Sequence, residues 1–528
     1  MNLRYLATQR STLRAQLFAS SVVAVLITIP IALMMPMYMD DYQRALSGKF
    51  AWTADGRPLA ELIYKLFLFD SPRTALISPL GLLLCIPLIS LSSIVICRIF
   101  GHRNYWAAIL STFFIFCQPY FLENLSYSFD APLMVLAILL ALVSALLVIV
   151  YPFRLAFLFA VFLNVCSLAL YQPANVSFWI PTTLSIVFPF LPGYMTTKKK
   201  IYPIFKIIPK QLLHRNDFNL FWSMIFCQLI SFLTYKVVIL NNVILKSYTT
   251  QHADLAPVNK IVSTLLDNIY SYMAKIFTDW NQTKFGFLFL ILIVSSIIIA
   301  SFNYTSSSQS SLSVKFKIFR DTGSVCLRIF AASLIFLISY GVPIILLNPV
   351  FPPRTFIGLG IFTASLILIA TRSLFKIEPL SRVQFQFLRI RDYVFVILIV
   401  FSLWSCLYIL FAYVNAYTYQ TKLDDYYISS IVSDLRQAGY SNTDFNTVKF
   451  TGKLPYSPVT LNTYKTLPYL KSFVKPLQSP LGWPHIKMRH YGFDKIKLVD
   501  HPIEGRVINS NPVYKLSTNN DNVIIKFK

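Results

Sequence analysis

Residues 17–36 read LFASSVVAVLITIPIALMMP, and residues 37–44 continue MYMDDYQR. The first stretch holds no charge over its whole length, and about 20 apolar residues are what a helix needs to cross a bilayer core. Arg4, Arg10 and Arg14 precede it, the outline of a secretory signal. It runs into Met34-Met35-Pro36-Met37 with no small-residue cleavage site, so it reads as a retained first membrane helix. The second stretch sets two adjacent acids and an arginine at the mouth of that helix.

The whole chain follows this pattern. Of its 528 residues 56% are apolar and only 13% charged, with a mean hydropathy of +0.59. Soluble domains carry about 25% charge, so several soluble domains are excluded. Apolar runs lie near 17–36, 75–99, 104–119, 131–151, 154–171, 174–192, 217–240, 285–302, 325–346, 354–371 and 392–416. Eleven spans are predicted. The seven cysteines sit in or beside these runs without CxxC spacing, as small hydrophobes and not disulfides or metal ligands.

A net charge of +25 would suit nucleic acid, but the basic residues fall in short clusters between apolar runs, as in cytoplasmic loops. No nucleic-acid partner is expected. With the N-terminus in the cytoplasm, the inside loops hold Arg98 and Arg103, Arg154, the cluster from Lys198 to Arg215, Lys315 to Arg320, and Arg372 to Arg391. Loops 118–130 and 171–174 hold no Lys or Arg. The odd span count places the C-terminus outside.

Three outside segments are longer than connectors: 37–74, 241–284 and 417–528. The tail turns polar. Leu423, Ile428, Ile431, Val432 and Leu435 keep helical spacing up to Gly439, and Val448–Phe450 and Val523–Phe527 alternate or run as strands. The expected fold is mainly α: a polytopic membrane domain over 1–416 and a small α+β domain over 417–528. Pro58 to Phe69 reads as a helix lying in the outer interface, with Leu59, Leu62, Ile63 and Leu66 on one face.

Acids are scarce, 22 in the chain, so Asp40-Asp41 beside a span stands out. Arg44, three and four residues on, shares their helical face. A half-buried carboxylate beside an arginine stays ionised and accepts a proton from a hydroxyl; a solvated loop start with a helix cap accounts for the pair equally well. Glu123 and Asp130 bracket a second outside loop, and Asp130 suits an N-cap of the following helix. Arg354, after Pro352-Pro353, is an outside arginine against the charge bias, either snorkelling to headgroups or clamping phosphate. The six histidines form no zinc pattern, and no Walker loop, GxGxxG or GxSxG is present. ATP-driven transport, dinucleotide chemistry and α/β-hydrolase chemistry have no support.

The pattern Asp40-Asp41-x-x-Arg44, Gly48, Trp52, Gly56-Arg57-Pro58 resembles the serotype-converting O-antigen glucosyltransferases of the Gtr type, with Ser128-Phe129-Asp130, Tyr171-Gln172-Pro173 and Pro352-Pro353-Arg354 at the corresponding outer loops. The resemblance covers roughly 20–415 and leaves the tail unmatched. It implies a GT-C glycosyltransferase of the bacterial inner membrane. The donor would be a sugar, usually glucose, on undecaprenyl phosphate. The acceptor would be a hydroxyl of lipid-linked O-antigen in the periplasm. A flippase and a polyprenyl-phosphate glucosyltransferase would be functional partners. A lipid donor accounts for the missing nucleotide motif. Asp40 or Asp41 would be the base, Asp41 with Asp40 orienting it being the first expectation. Arg44 or Arg354 would meet the departing phosphate, and Trp52, Arg57, Asp130 and Tyr171 would join the substrate site, with Trp52 and Tyr42 stacking on sugar. No cofactor is required, although a divalent ion held by Asp40 and Asp41 is left open. Two rivals stand beside it. A transporter predicts mid-helix charges and repeated halves, and another GT-C transferase would act on lipid A or a different surface glycan.

Overall fold

A computed structural model describes residues 3–35, 37–150, 154–189, 217–245, 250–252, 254–303, 314–374, 382–441, 447–476, 483–493, 496–499, 505–519 and 522–528. The basic cluster at 198–215, the serine-rich stretch 305–313, Pro36, Lys376 and His501 lie outside the described residues, as do the side chains of Lys315, Lys317, Arg320, Arg382 and Arg389.

The helices run α1 (Leu3–Met34), α2 (Asp40–Ser47), α3 (Pro58–Phe67), α4 (Leu80–Ile99), α5 (Tyr105–Phe116), α6 (Phe121–Ser126), α7 (Ala131–Val150), α8 (Arg154–Leu170), α9 (Val176–Val187), α10 (Asp217–Thr234), α11 (Ile261–Asn281), α12 (Lys284–Asn303), α13 (Val314–Leu337), α14 (Ile357–Leu374), α15 (Arg382–Gln437), α16 (Pro458–Thr466) and α17 (Trp483–His490). Each apolar run forms a helix. Among the described residues six are long and apolar enough to cross a membrane: Thr12–Met34, Leu80–Ile99, Ala131–Val150, Phe218–Asn242, Lys284–Phe302 and Ile390–Gln437. The chain is a mainly helical membrane protein.

Local breaks bound several of the other apolar helices. Tyr171-Gln172-Pro173 opens a 3₁₀ turn, Gln172–Asn175, between α8 and α9. After α13, Gly341 takes φ 81°, a left-handed conformation that favours glycine, and Val342–Ile345 form another 3₁₀ turn. Pro353–Thr355 does the same before α14. Non-helical backbone at membrane depth is tolerated where protein buries it, and Tyr171, Ile344 and Thr355 are buried.

Small residues bring the helices close. Ala137, Ala141 and Ala145 of α7 are fully buried. Ser144 Oγ donates to the Ala160 carbonyl at 2.7 Å, and Ser167 Oγ to that of Ala137 at 2.8 Å. Between apolar helices in lipid, such close packing and hydrogen bonds drive association more than the hydrophobic effect does. A Cβ on Gly358 would lie 1.8 Å from the Ser339 carbonyl oxygen, so α14 reaches the end of α13 only with glycine there.

The expected separate helix at 423–435 is instead the continuation of the last apolar run. No Gly or Pro interrupts residues 417–437, so α15 extends unbroken for 56 residues, about 84 Å at 1.5 Å per residue. Position 416 lies inside it. Beyond Gly439, β1 (Thr447–Thr451), β2 (Lys497–Leu498), β3 (Arg506–Ser510), β4 (Tyr514–Asn519) and β5 (Asn522–Phe527) form one sheet in the order β2-β1-β5-β4-β3. β1 runs parallel to both neighbours and the other pairs are antiparallel. Ile428, Ile431 and Leu435 of α15 pack with Phe450, Leu516 and Ile525 of the sheet. Residues 458–474 leave this cluster: Tyr464, Leu467, Leu470 and Phe473 pack into the core of the helical bundle.

Opposite ends of the bundle differ in character. At one end Arg98 Nη2 donates to Gln16 Oε1 at 2.7 Å, and a His102 ring nitrogen meets the Leu368 carbonyl at 2.7 Å. At the other, Tyr235 Oη donates to the Gly56 carbonyl at 2.7 Å, Tyr120 Oη to Asp279 at 3.1 Å and Tyr171 Oη to the Arg354 carbonyl at 3.1 Å. These contacts gather the loops after α1, α5, α8, α10 and α13 around α2.

Candidate active site

The turn Met37–Met39 leads into α2, whose first two residues are Asp40 and Asp41 and which ends at Gly48 with φ 63°. Met39 is held at φ 43°. Strain of this kind, of order 1–3 kcal/mol, survives where surrounding contacts fix the backbone. Here Tyr417 Oη donates to the Met37 carbonyl at 2.7 Å, and the Asp41 carboxylate closes the turn.

The two aspartates have different surroundings. Asp41 is fully buried. Its Oδ2 accepts the backbone N–H of Tyr38 at 3.0 Å and of Ser128 at 2.8 Å, and its Oδ1 that of Phe129 at 3.4 Å. It fastens the α2 turn to the 127–130 loop. Burial, and next the charge of Asp130, push its carboxyl up to about 8. Asp40 is exposed and makes no side-chain hydrogen bond or ion pair with the described residues. The protein crowded around it lifts its carboxyl above the ordinary value, against the pull of Arg354 and Arg44.

Asp130 is the hub of the site. Its Oδ2 lies 2.6 Å from Arg44 Nη1, and its Oδ1 accepts the Trp52 indole N–H at 2.6 Å with Arg57 Nη1 3.9 Å away. The side chain binds these groups and does not act simply as the helix cap of α7. Burial raises its carboxyl, but Arg44, Arg57 and Trp52 together hold it below the usual carboxylate value. Trp52 is fully buried. Arg44 Cζ lies 4.2 Å from its ring centroid and Tyr64 stacks on it at 4.6 Å.

A second ion pair faces the first. Arg354 donates its backbone N–H to Glu123 Oε2 at 2.7 Å, and its Nη1 lies 3.8 Å from Glu123 Oε1 and donates to Tyr127 Oη. Its carbonyl accepts Asn124 Nδ2 at 3.0 Å as well as Tyr171 Oη. Burial raises the Glu123 carboxyl, with Arg354 opposing. Tyr171 is buried, with Arg57 Cζ 4.7 Å over its ring. Arg57 Nε donates to Gln172 Oε1 at 3.3 Å.

All eight residues singled out from sequence converge here: Asp40, Asp41, Arg44, Trp52, Arg57, Asp130, Tyr171 and Arg354. The buried rings of Trp52 and Tyr171 support the arginines and present no open platform for sugar. Tyr42 is likewise covered, by Lys487 and His490. Asp41 faces three backbone amides, so the adjacent aspartates do not present two carboxylates to one ion. Among the described residues no three His, Cys, Asp or Glu side chains gather in a set that could hold a metal ion.

The family model for glucosyl transferase GtrII matches residues 30–370. That span contains every residue of the cluster. The chain belongs to the GtrII glucosyl transferase family. A protein of Salmonella phage P22, named as an uncharacterized 55.3 kDa protein in the gtrB 5′ region, is 24% identical over 512 residues, 96% of each chain. No solved structure matches.

Sequence reasoning on this GtrII member missed the role of Glu123, noted only as a loop bracket, and of Tyr127. The signal available was a second acid in a basic-free loop, but its partner Arg354 stands 231 residues away.

Proposed function

We propose that this GtrII member transfers glucose from polyprenyl phosphate to a hydroxyl of lipid-linked O-antigen on the periplasmic face of the bacterial inner membrane, converting serotype. The observation that carries this is an open carboxylate, Asp40, unpaired among the described residues and within the field of Arg354 and Arg44, which buried acids hold in place. Asp40, and not Asp41, is the base in this scheme. It takes the proton of the acceptor O–H as that oxygen attacks the anomeric carbon. The bond from that carbon to the phosphate oxygen breaks, and the phosphate leaves with the electron pair. The guanidinium nitrogens of Arg354 and Arg44 not engaged by Tyr127 and Asp130 face the charge that develops. One base and no protein nucleophile give inversion at the anomeric carbon.

The chain would cross the membrane eleven times. Support comes from the loops that meet around α2, which require the helices between them to alternate in direction, and from Arg98, Arg103 and Arg372 at the opposite end. On this reading the N-terminus lies in the cytoplasm and the C-terminus in the periplasm. A flippase and a polyprenyl-phosphate glucosyltransferase would supply the donor, and no cofactor is called for. The test is a membrane assay with polyprenyl-phosphate glucose and O-antigen lipid: the wild type should form the glucosylated product and Asp40→Asn should not. Transfer from a nucleotide sugar alone would refute the donor assignment.

A further inference from the structure

The tail supplies part of the site. Between α16 and α17 the chain returns to the helical core, where Leu470, Phe473 and Val474 are buried. Two tyrosines fix its backbone. Tyr38 Oη donates to the Phe473 carbonyl at 2.9 Å, and Tyr464 Oη to that of Val474. Tyr38 stands two residues before Asp40, and its hydroxyl lies 3.4 Å from Glu123 Oε1. Residue 475 is thereby brought to the Glu123–Arg354 pair. Val474 and Pro476 on either side are buried, while Lys475 is exposed and forms no side-chain hydrogen bond or ion pair with the described residues. Its charge reaches Glu123, where it acts after Arg354 to oppose the effect of burial.

We propose that Lys475 is a further substrate-binding residue, a third cation that meets the phosphate of the lipid donor. This rests on the donor assigned above. As a compact ammonium on a flexible stem, it would add charge without the fixed geometry of the two arginines. It binds donor and departing phosphate alike, so it should act on donor affinity more than on the chemical step.

The experiment compares the full chain in lipid nanodiscs as wild type, Lys475→Met and Lys475→Arg, with polyprenyl-phosphate glucose varied at saturating acceptor. Lys475→Met should raise the donor KM roughly three- to tenfold, with kcat within about twofold, and Lys475→Arg should restore most of the affinity. Binding of polyprenyl phosphate alone should weaken in parallel in Lys475→Met. A donor KM and phosphate affinity unchanged in Lys475→Met, beside an active wild type, would overturn the role of Lys475 and leave the reaction intact. A wild type inert with this donor would overturn the donor assignment, and this inference with it.

Discussion

Arg44 and Asp130 meet at 2.6 Å across 86 residues of chain, both nearly excluded from solvent. This pair ties α2 to the start of α7 and sets the frame in which Asp40 stands open. Breaking a buried pair from one side leaves an uncompensated charge and costs about 3–5 kcal/mol. Asp130→Asn and Arg44→Gln should therefore both lower thermal stability in detergent and reduce transfer. The Asp130 carboxyl is held below its ordinary value. Its stabilisation is thus fully present above about pH 3.9 and is lost as pH falls through the lower folded value. A melting curve indistinguishable from wild type in both variants would show the pair to be dispensable.

Asp40 and Asp41 should separate in their effects. Asp40→Asn should cut transfer by roughly 10²–10⁴, the usual cost of losing a general base, with insertion and melting unchanged. Asp41→Asn replaces one of the two oxygens that accept three backbone amides with an NH2 donor and should cost about 1–3 kcal/mol of stability, with activity falling less than in Asp40→Asn. Because the Asp40 carboxyl is raised, wild-type transfer should fail on acidification with a midpoint above the ordinary ~3.9. A variant Asp40→Asn as active as wild type would end its assignment as base.

Arg354 distinguishes two physical roles. Its planar guanidinium bonds Tyr127 and faces Glu123 while leaving nitrogens for phosphate, so Arg354→Lys should weaken donor use markedly. Snorkelling to headgroups would let lysine serve without loss. Donor titration in membranes decides between them.

On the proposed eleven-span topology the site lies outside the cytoplasm. A periplasm-dependent reporter fused after Lys528 should be active, and one fused at Lys200 silent. The reverse pattern would put Asp40 on the wrong face.

Much of the fold was legible because apolar run length is a strong and local signal: each of the eleven runs became a helix. The break at Tyr171-Gln172-Pro173 was legible through its proline. The continuity of α15 was not, since a composition shift at 417 resembles a domain boundary although no helix breaker stands there. The strand segments near 448 and 523 were found, but the return of Tyr464, Leu467 and Phe473 to the bundle was hidden, because apolar residues do not announce which core they join. Within the site, 40–57 could be read as one motif. Its pairing with Asp130, and that of Glu123 with Arg354, depends on contacts 86 and 231 residues apart that no local pattern encodes. The ordering of Asp40 and Asp41 was equally invisible, because only burial and the amides of Tyr38, Ser128 and Phe129 tell them apart.

The most direct test is the chemical structure of O-antigen from cells that also carry the donor synthase and flippase, compared with no gene, the wild-type gene, or Asp40→Asn at equal expression. The wild type should add a glucosyl branch to the repeat unit, absent in the other two. O-antigen identical in all three strains, or the same branch in the Asp40→Asn strain, would contradict the account.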